Sequence, residues 1–521
     1  MSSTPPENDP LHARLQEFLK RNLETGSGFV PQVEQPSADD TRPAKPPGDR
    51  FEFKFTPRQI KEHLDRYVIK QDEAKKVLAV AICDHYHHVQ AVERGTATPH
   101  YTKQNVLIIG PTGVGKTYLV KCLAELVGVP MVRADATKFT ETGYVGGDVE
   151  DLVRDLVHQA EGDKELAQYG IIYLDEVDKL ASASAGSGRD VSGRGVQTNL
   201  LKLMEETEVP LRSQTDLQSQ LQAAMEFQRR GGKVKKETIN TRNILFIVSG
   251  AFDKLPEIVK RRLSRSEMGF AAALKPEQKP EDVLGLVTTR DLVDFGMEPE
   301  FVGRLPVRVP CSALEVDDLF AILKQSEGSL VRQYEEAFRA YGIEVMFADD
   351  GMRALARLAV EEQTGARGLL TVGELALRPF KFNLPGSGVR RFVVHEKLVL
   401  GPEAELKRIL ADGTYEERLV MGEIARQFAL RFEEKHRLRL DFAPDAIEAL
   451  IDGALRTKSN MRDYCETVFK DFEFGLKLVS KNSGQTSFTI DRSVVEAPDQ
   501  AISRWVVSSF RGPADGPGAS A

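Results

Sequence analysis

Residues 105–117 read Asn-Val-Leu-Ile-Ile-Gly-Pro-Thr-Gly-Val-Gly-Lys-Thr, and the reading of the fold starts there. Val106 to Ile109 is a short apolar run of the kind that forms a buried parallel strand. Gly110, Pro111, Thr112, Gly113, Val114, Gly115, Lys116 and Thr117 satisfy G-x-x-x-x-G-K-[ST], and Tyr118 to Leu126 reads as a helix. Between a strand and a helix, the glycines let successive backbone N–H groups turn inward around phosphate oxygens, at the positive end of the helix dipole. Lys116 places a cation on the β/γ-phosphates, and the Thr117 hydroxyl can ligate Mg²⁺. The stretch implies a nucleoside triphosphate site.

Working outward, Ile171 to Leu174 is a second β-prone apolar run, and it ends in Asp175-Glu176. A carboxylate at the C-terminal end of a parallel strand lies in the crevice where such sheets bind ligands. Asp175 can hold Mg²⁺ through water, and Glu176 can polarise an attacking water. Further strands are expected at Pro130 to Val132, at Ile244 to Val248 and near Val307 to Val309. Helical segments separate them, which predicts an α/β fold with a parallel sheet flanked by helices. Upstream, Thr56-Pro57 pairs an N-cap with an N1 proline, and a long helix is expected from Gln71 to about Val92. His85, His87 and His88 on that helix lack ligand spacing to any carboxylate or cysteine, so they read as packing or surface residues.

Composition excludes several classes. A chain of 521 residues should hold two to four domains, and its net charge of −8 gives no case for nucleic acid or membrane partners. No apolar run reaches transmembrane length, and the polar, Pro-rich start is no signal peptide. The four cysteines, Cys83, Cys122, Cys311 and Cys465, form no CxxC pair, which predicts a reducing cytoplasm and no structural zinc. Within residues 1–50, Leu11, Leu15, Phe18, Leu19 and Leu23 have helical spacing. Two readings stand: a docking helix, or a weakly formed helix in a disordered arm.

Taken together, these motifs resemble the AAA+ unfoldases of the Clp/HslU group, most closely the ClpX family, from about Thr56 to Leu400. The resemblance implies an adenine-contacting segment at Val68-Ile69 and ATP with Mg²⁺ as cofactors. It implies Walker A at Gly110 to Thr117, with Tyr118 beside it, and Walker B at Ile171 to Glu176. Gly143-Tyr144-Val145-Gly146 is similar to the substrate-gripping pore loop, and Arg189 to Gly193 to the second pore loop. Arg304, within Pro299 to Pro306, stands where the family carries its arginine finger. Arg367, in Gly365-Ala366-Arg367, matches the sensor-2 arginine that meets the nucleotide of its own subunit. Such proteins form ring hexamers that thread protein substrates. Met268-Gly269-Phe270 resembles the tripeptide by which the family docks on the ClpP peptidase, with Met in place of Ile or Leu.

Departures are equally specific. A Pro-rich arm stands where the family has a four-cysteine zinc domain. Lys70, Gly147 and Arg194 replace residues usually glycine, acidic and glutamate, and a Gln-rich insertion precedes Lys233 to Lys236. Past the lid, Phe347, Asp350, Ala354, Leu355, Ala359 and Arg367 recur 95 positions later as Phe442, Asp445, Ala449, Leu450, Ala454 and Arg462. That offset predicts a degenerate second copy of the lid. The expected domains are a disordered arm (1–50), an ATPase domain (51–315), a lid (316–400), a linker (401–427), a second lid-like domain (428–500) and a tail (501–521). The expected function is ATP-driven unfolding and translocation of proteins through a ring pore, feeding a peptidase. The alternative is a stand-alone AAA+ remodelling or scaffolding ATPase with no peptidase partner.

Overall fold

The computed structural model describes residues 52–97, 103–140, 147–181, 191–211, 237–266 and 283–510. The arm, the Gly143–Gly146 loop with Tyr144 and Val145, Arg189-Asp190, Lys233–Lys236 and the tripeptide Met268-Gly269-Phe270 lie outside the described residues.

Helix α1 (Pro57–Tyr67) opens on Thr56, whose hydroxyl and the Gln59 side chain cap each other's backbone reciprocally. The long helix α2 (Asp72–Glu93) follows, and its inward face includes His85 and Tyr86. His85 Nε2 lies 3.0 Å from the Asn243 carbonyl, and burial pushes its pKa down to about 3, so it is a neutral packing histidine.

Five strands build the main sheet: β1 (Val106–Ile109), β2 (Met131–Asp135) and β3 (Ile171–Asp175), then, after a short hairpin of β4 (Glu208–Pro210) and β5 (Thr238–Asn240), β6 (Leu245–Gly250) and β7 (Val307–Pro310). The order is β2-β3-β6-β1-β7, and every pairing is parallel. Residues of β1, β3 and β6 are buried almost throughout, as expected of central strands covered on both faces. Helices α3 (Lys116–Val127), α4 (Asp151–Gln159) and α5 (Val191–Met204) belong to this domain, as does the single turn α6 (Pro299–Gly303).

A helical lid comes next: α7 (Val316–Gln325), α8 (Leu330–Arg339), β8 (Glu344–Phe347), α9 (Asp349–Glu361), α10 (Ala366–Asn383), β9 (Arg391–Val394), α11 (Glu396–Leu400) and α12 (Pro402–Ala411). Its core stacks Phe380 on Phe392 at 5.3 Å, with Phe338 edge-on to Phe392 at 5.0 Å. Strands β8 and β9 pair in parallel.

A second set of elements follows, with one helix before its first strand and three between its strands where the lid has two and two: α13 (Gly413–His436), β10 (Arg439–Phe442), α14 (Pro444–Thr457), α15 (Met461–Val468), α16 (Phe472–Ser483), β11 (Ser487–Ile490), α17 (Arg492–Glu496) and α18 (Pro498–Phe510). Strands β10 and β11 pair in parallel, with Phe442 opposite Ile490 as Phe347 is opposite Val394. Gly401 before Pro402 has φ −144°, ψ 65°, and Ala497 before Pro498 has φ −138°, ψ 64°. The module has its own core, from Ala425 to Ile502.

Two expected boundaries are corrected. Residues 401–427 are not a linker but α12 and the first half of α13. Their charged surface hides apolar positions at helical spacing: Leu406 and Ile409 enter the lid core, and Val420 packs against Ala348 and Val393. Nor does a tail begin at residue 501, because α18 continues to Phe510 and buries Ala501 and Ile502. The two modules meet where Val393, on the outer edge of β9, donates its N–H to Glu416 Oε1 at 3.0 Å.

Candidate nucleotide site

A cavity of about 650 Å³ lies between the C-terminal ends of the sheet strands and the lid. The sequence dictates its floor. Gly115 takes φ 95° at the N-cap of α3, a left-handed turn that points backbone donors into the loop. Gly113, at φ 76°, tolerates no side chain, since a Cβ there would come within 1.9 Å of the Thr364 carbonyl. That closeness reflects direct docking: Ala366, the first residue of α10, donates its N–H to the Gly113 carbonyl at 2.9 Å.

Lys116 is buried and donates from Nζ to the carbonyls of Gly110 at 2.7 Å and Pro111 at 2.9 Å. Burial lowers its pKa, opposed by the nearby Asp175. A phosphate oxygen is a stronger acceptor for this ammonium than a neutral carbonyl. Thr117 Oγ1 lies 3.2 Å from Asp175 Oδ2, and the other Asp175 oxygen accepts from Ser249 at 2.6 Å. A hydroxyl and a carboxylate are hard oxygen donors suited to Mg²⁺, which keeps several waters and takes phosphate oxygens as further ligands. Among the described residues no group of three or more His, Cys, Asp or Glu could hold a metal by itself.

Glu176 follows β3 in the left-handed region at φ 58°, which is strained for a non-glycine residue, and its side chain lines the cavity beside Asp175. On the opposite wall Tyr67, Val68, Ile69 and Tyr118 offer an apolar berth for a base, and Ile322, Arg367 and Leu370 close the cavity from the lid. The structure thus brings together Val68, Ile69, residues 112–118, Asp175, Glu176 and Arg367. Gly110 and Pro111 stand behind the loop as acceptors for Lys116. Arg304 is elsewhere: it follows α6, pairs with Glu205, and receives the Asn105 side-chain amide on its carbonyl at 3.1 Å.

Several contributors escaped the sequence reading. The Tyr173 hydroxyl sits 3.2 Å from Thr117 Oγ1 and 2.7 Å from Ser249 Oγ, joining the threonine to the strand-end acid, and burial pushes its pKa up to about 12. Tyr173 hid within an apolar run, and Ser249 looked like a strand terminus. Gln71, at the start of α2, holds the segment before the lid through Ser312, accepting its N–H at 2.8 Å and donating to its carbonyl at 2.7 Å. Lys70 pairs with Asp318 of α7 at 2.8 Å, tying the segment before α2 to the lid.

Comparison with known proteins agrees with this geometry. Residues 101–308 match the model of the AAA domain (Cdc48 subfamily). The chain is 42% identical over 359 residues to the ATP-dependent Clp protease ATP-binding subunit ClpX of Borrelia duttonii (strain Ly), covering 67% of this chain and 80% of that protein. It is likewise 42% identical over 360 residues to the subunit named ClpX 3 of Methylococcus capsulatus, covering 66% and 80%. The phosphate loop and acid pair therefore sit in an ATP-binding AAA+ ATPase. Similarity of this depth over so much of both chains means that the chain belongs to the ClpX family.

Proposed function

We propose that the chain is an ATP-driven protein unfoldase and translocase. The observation that carries this reading is the backbone contact between Ala366 of the lid and Gly113 of the phosphate loop. A lid that rests on the loop itself must respond when the charge held by that loop changes, so the state of the nucleotide sets the angle between domain and lid. In this reading Lys116 and Thr117 hold ATP and Mg²⁺ with Asp175, and Glu176 orients and deprotonates the attacking water. Arg367 contacts the γ-phosphate from the lid, and Val68, Ile69 and Tyr118 enclose the base.

Arg304 acts on a neighbouring subunit. Its distance from its own cavity suits a finger offered across a ring boundary, where a trans arginine supplies about 10³–10⁵ in rate. The ring is a homo-hexamer in the cytoplasm. Tyr144 and Val145 grip polypeptide in its pore, tyrosine offering large contact area with two torsions to freeze. Met268, Gly269 and Phe270 dock on the ClpP peptidase, since methionine keeps an apolar anchor of similar volume. Residues 413–510 are a second lid copy that has lost its nucleotide partner and biases substrate choice.

A hydrolysis-dead trap tests this reading. Glu176→Gln, loaded with ATP, should co-purify with polypeptide substrates and with the peptidase. Retained ATP binding with no captured polypeptide would favour a scaffolding ATPase, and loss of the peptidase alone a stand-alone remodeller.

A further inference from the structure

The joint between the lid and the second module forms a groove of about 710 Å³. Its floor is apolar: Phe428 stacks on Phe469 at 5.7 Å, flanked by Met346 and Ile424. Its rim carries five lysines and arginines against three glutamates. The glutamates are already engaged. Glu344 pairs with Arg391 at 2.7 Å, Glu466 with Arg462 at 3.2 Å, and Glu473 with Lys477 at 2.7 Å and His436 at 3.3 Å. Arg431, Lys435 and Lys470 are all exposed and in no ion pair with a described residue, although the Lys435 charge also acts on Glu473. Unbalanced cations lining one concavity repel one another and concentrate anions.

The face that lines this groove has a counterpart in the first lid. Leu330, Gln333 and Arg367 line the nucleotide cavity from α8 and α10. Arg462, which corresponds to Arg367 at the offset of 95, lines the groove together with Phe428 and Arg431 of α13. In the second module this face meets the β8–β9 pair instead of a glycine-rich loop. Its positive groups are side-chain ends spread along an apolar trough. That geometry suits several separated carboxylates with hydrophobic side chains between them, and not a compact phosphate chain. We propose that the groove binds an acidic peptide segment, its carboxylates on Arg431, Lys435 and Lys470 and an apolar side chain over Phe428.

The test uses the full chain and a labelled peptide of glutamates with one phenylalanine and one leucine, read by fluorescence anisotropy. Parent protein should bind it about tenfold or more tightly than the same peptide with lysines for glutamates, and added salt should weaken binding. Arg431→Glu combined with Lys470→Glu should weaken acidic-peptide binding by about tenfold or more, whereas Arg431→Lys with Lys470→Arg should preserve it. ATP turnover and the emission of Trp505, the chain's one tryptophan, half-buried against Phe472 and Phe488, should be unchanged in both pairs. Equal binding by parent and the charge-reversed pair, or equal affinity for acidic and basic peptides, would overturn the proposal. So would displacement by inorganic phosphate at an ionic strength where sodium chloride has no effect, which would mark a compact-anion site. The readout requires neither hydrolysis nor unfolding, so its failure leaves the unfoldase reading standing.

Discussion

Glu176 is held at φ 58° directly after a buried strand and lines the cavity, while its neighbour Asp175 is bonded to Ser249 and Thr117. The two acids are therefore held in different ways. Glu176→Gln should leave nucleotide affinity near the parent value and reduce turnover by about 10²–10⁴-fold, measured as phosphate release beside a binding titration. Lys116→Ala should instead weaken binding itself. Tyr173→Phe removes the hydroxyl that Thr117 and Ser249 share. Its expected effect is a several-fold higher Mg²⁺ requirement, read from ATPase rates across a Mg²⁺ titration; an unchanged requirement would make Tyr173 a packing residue only. The strand-end position of the acids was legible in the sequence because an apolar run stops there. The Tyr173 bridge was not, since it depends on Thr117 of α3 and Ser249 of β6, both distant in the sequence.

Elements legible from the sequence were those with one strong period. The central strands are continuous apolar runs, and α1 carries its own cap. Hairpin β4–β5, with three residues in each strand, is too short to show alternation. Helices α12 and α13 look like a charged linker because acidic residues occupy even inward positions: Glu405 and Glu416 are both buried. Glu416 makes a clear prediction. Burial, with a contribution from Glu405, raises its pKa to about 8, although the Val393 N–H opposes the shift. A carboxyl protonated more readily when folded than when unfolded stabilises the fold fully below its unfolded pKa. That stability is lost as pH rises from there to about 8. Glu416→Gln should therefore raise the melting temperature near pH 8 and have little effect near pH 4, measured by thermal denaturation at a series of pH values. An identical shift at both pH values would show that packing, and not ionisation, governs this joint.

At the scale of the molecule, the central sheet was readable because β1 runs into the glycine-rich loop and β3 ends in two acids. The docking of the second module was not. Periodicity identifies Val420 and Ile424 as apolar, but it does not say that they cover Ala348 and Val393 of the lid. The structure also fixes where the module begins: a truncation after Asp412 retains Leu406 and Ile409, which belong to the lid core. Such a protein should still bind ATP while its assembly or substrate choice changes, checked by nucleotide titration and by sedimentation. Loss of ATP binding would instead make the module part of the lid's own fold. The central claim, that hydrolysis pulls polypeptide through a ring, is tested most directly by the unfolding rate of a stably folded, tagged reporter in the presence of ATP. Parent protein should unfold it, and Tyr144→Ala should hydrolyse ATP at close to the parent rate yet fail to unfold it. Unfolding by Tyr144→Ala at the parent rate would contradict the account.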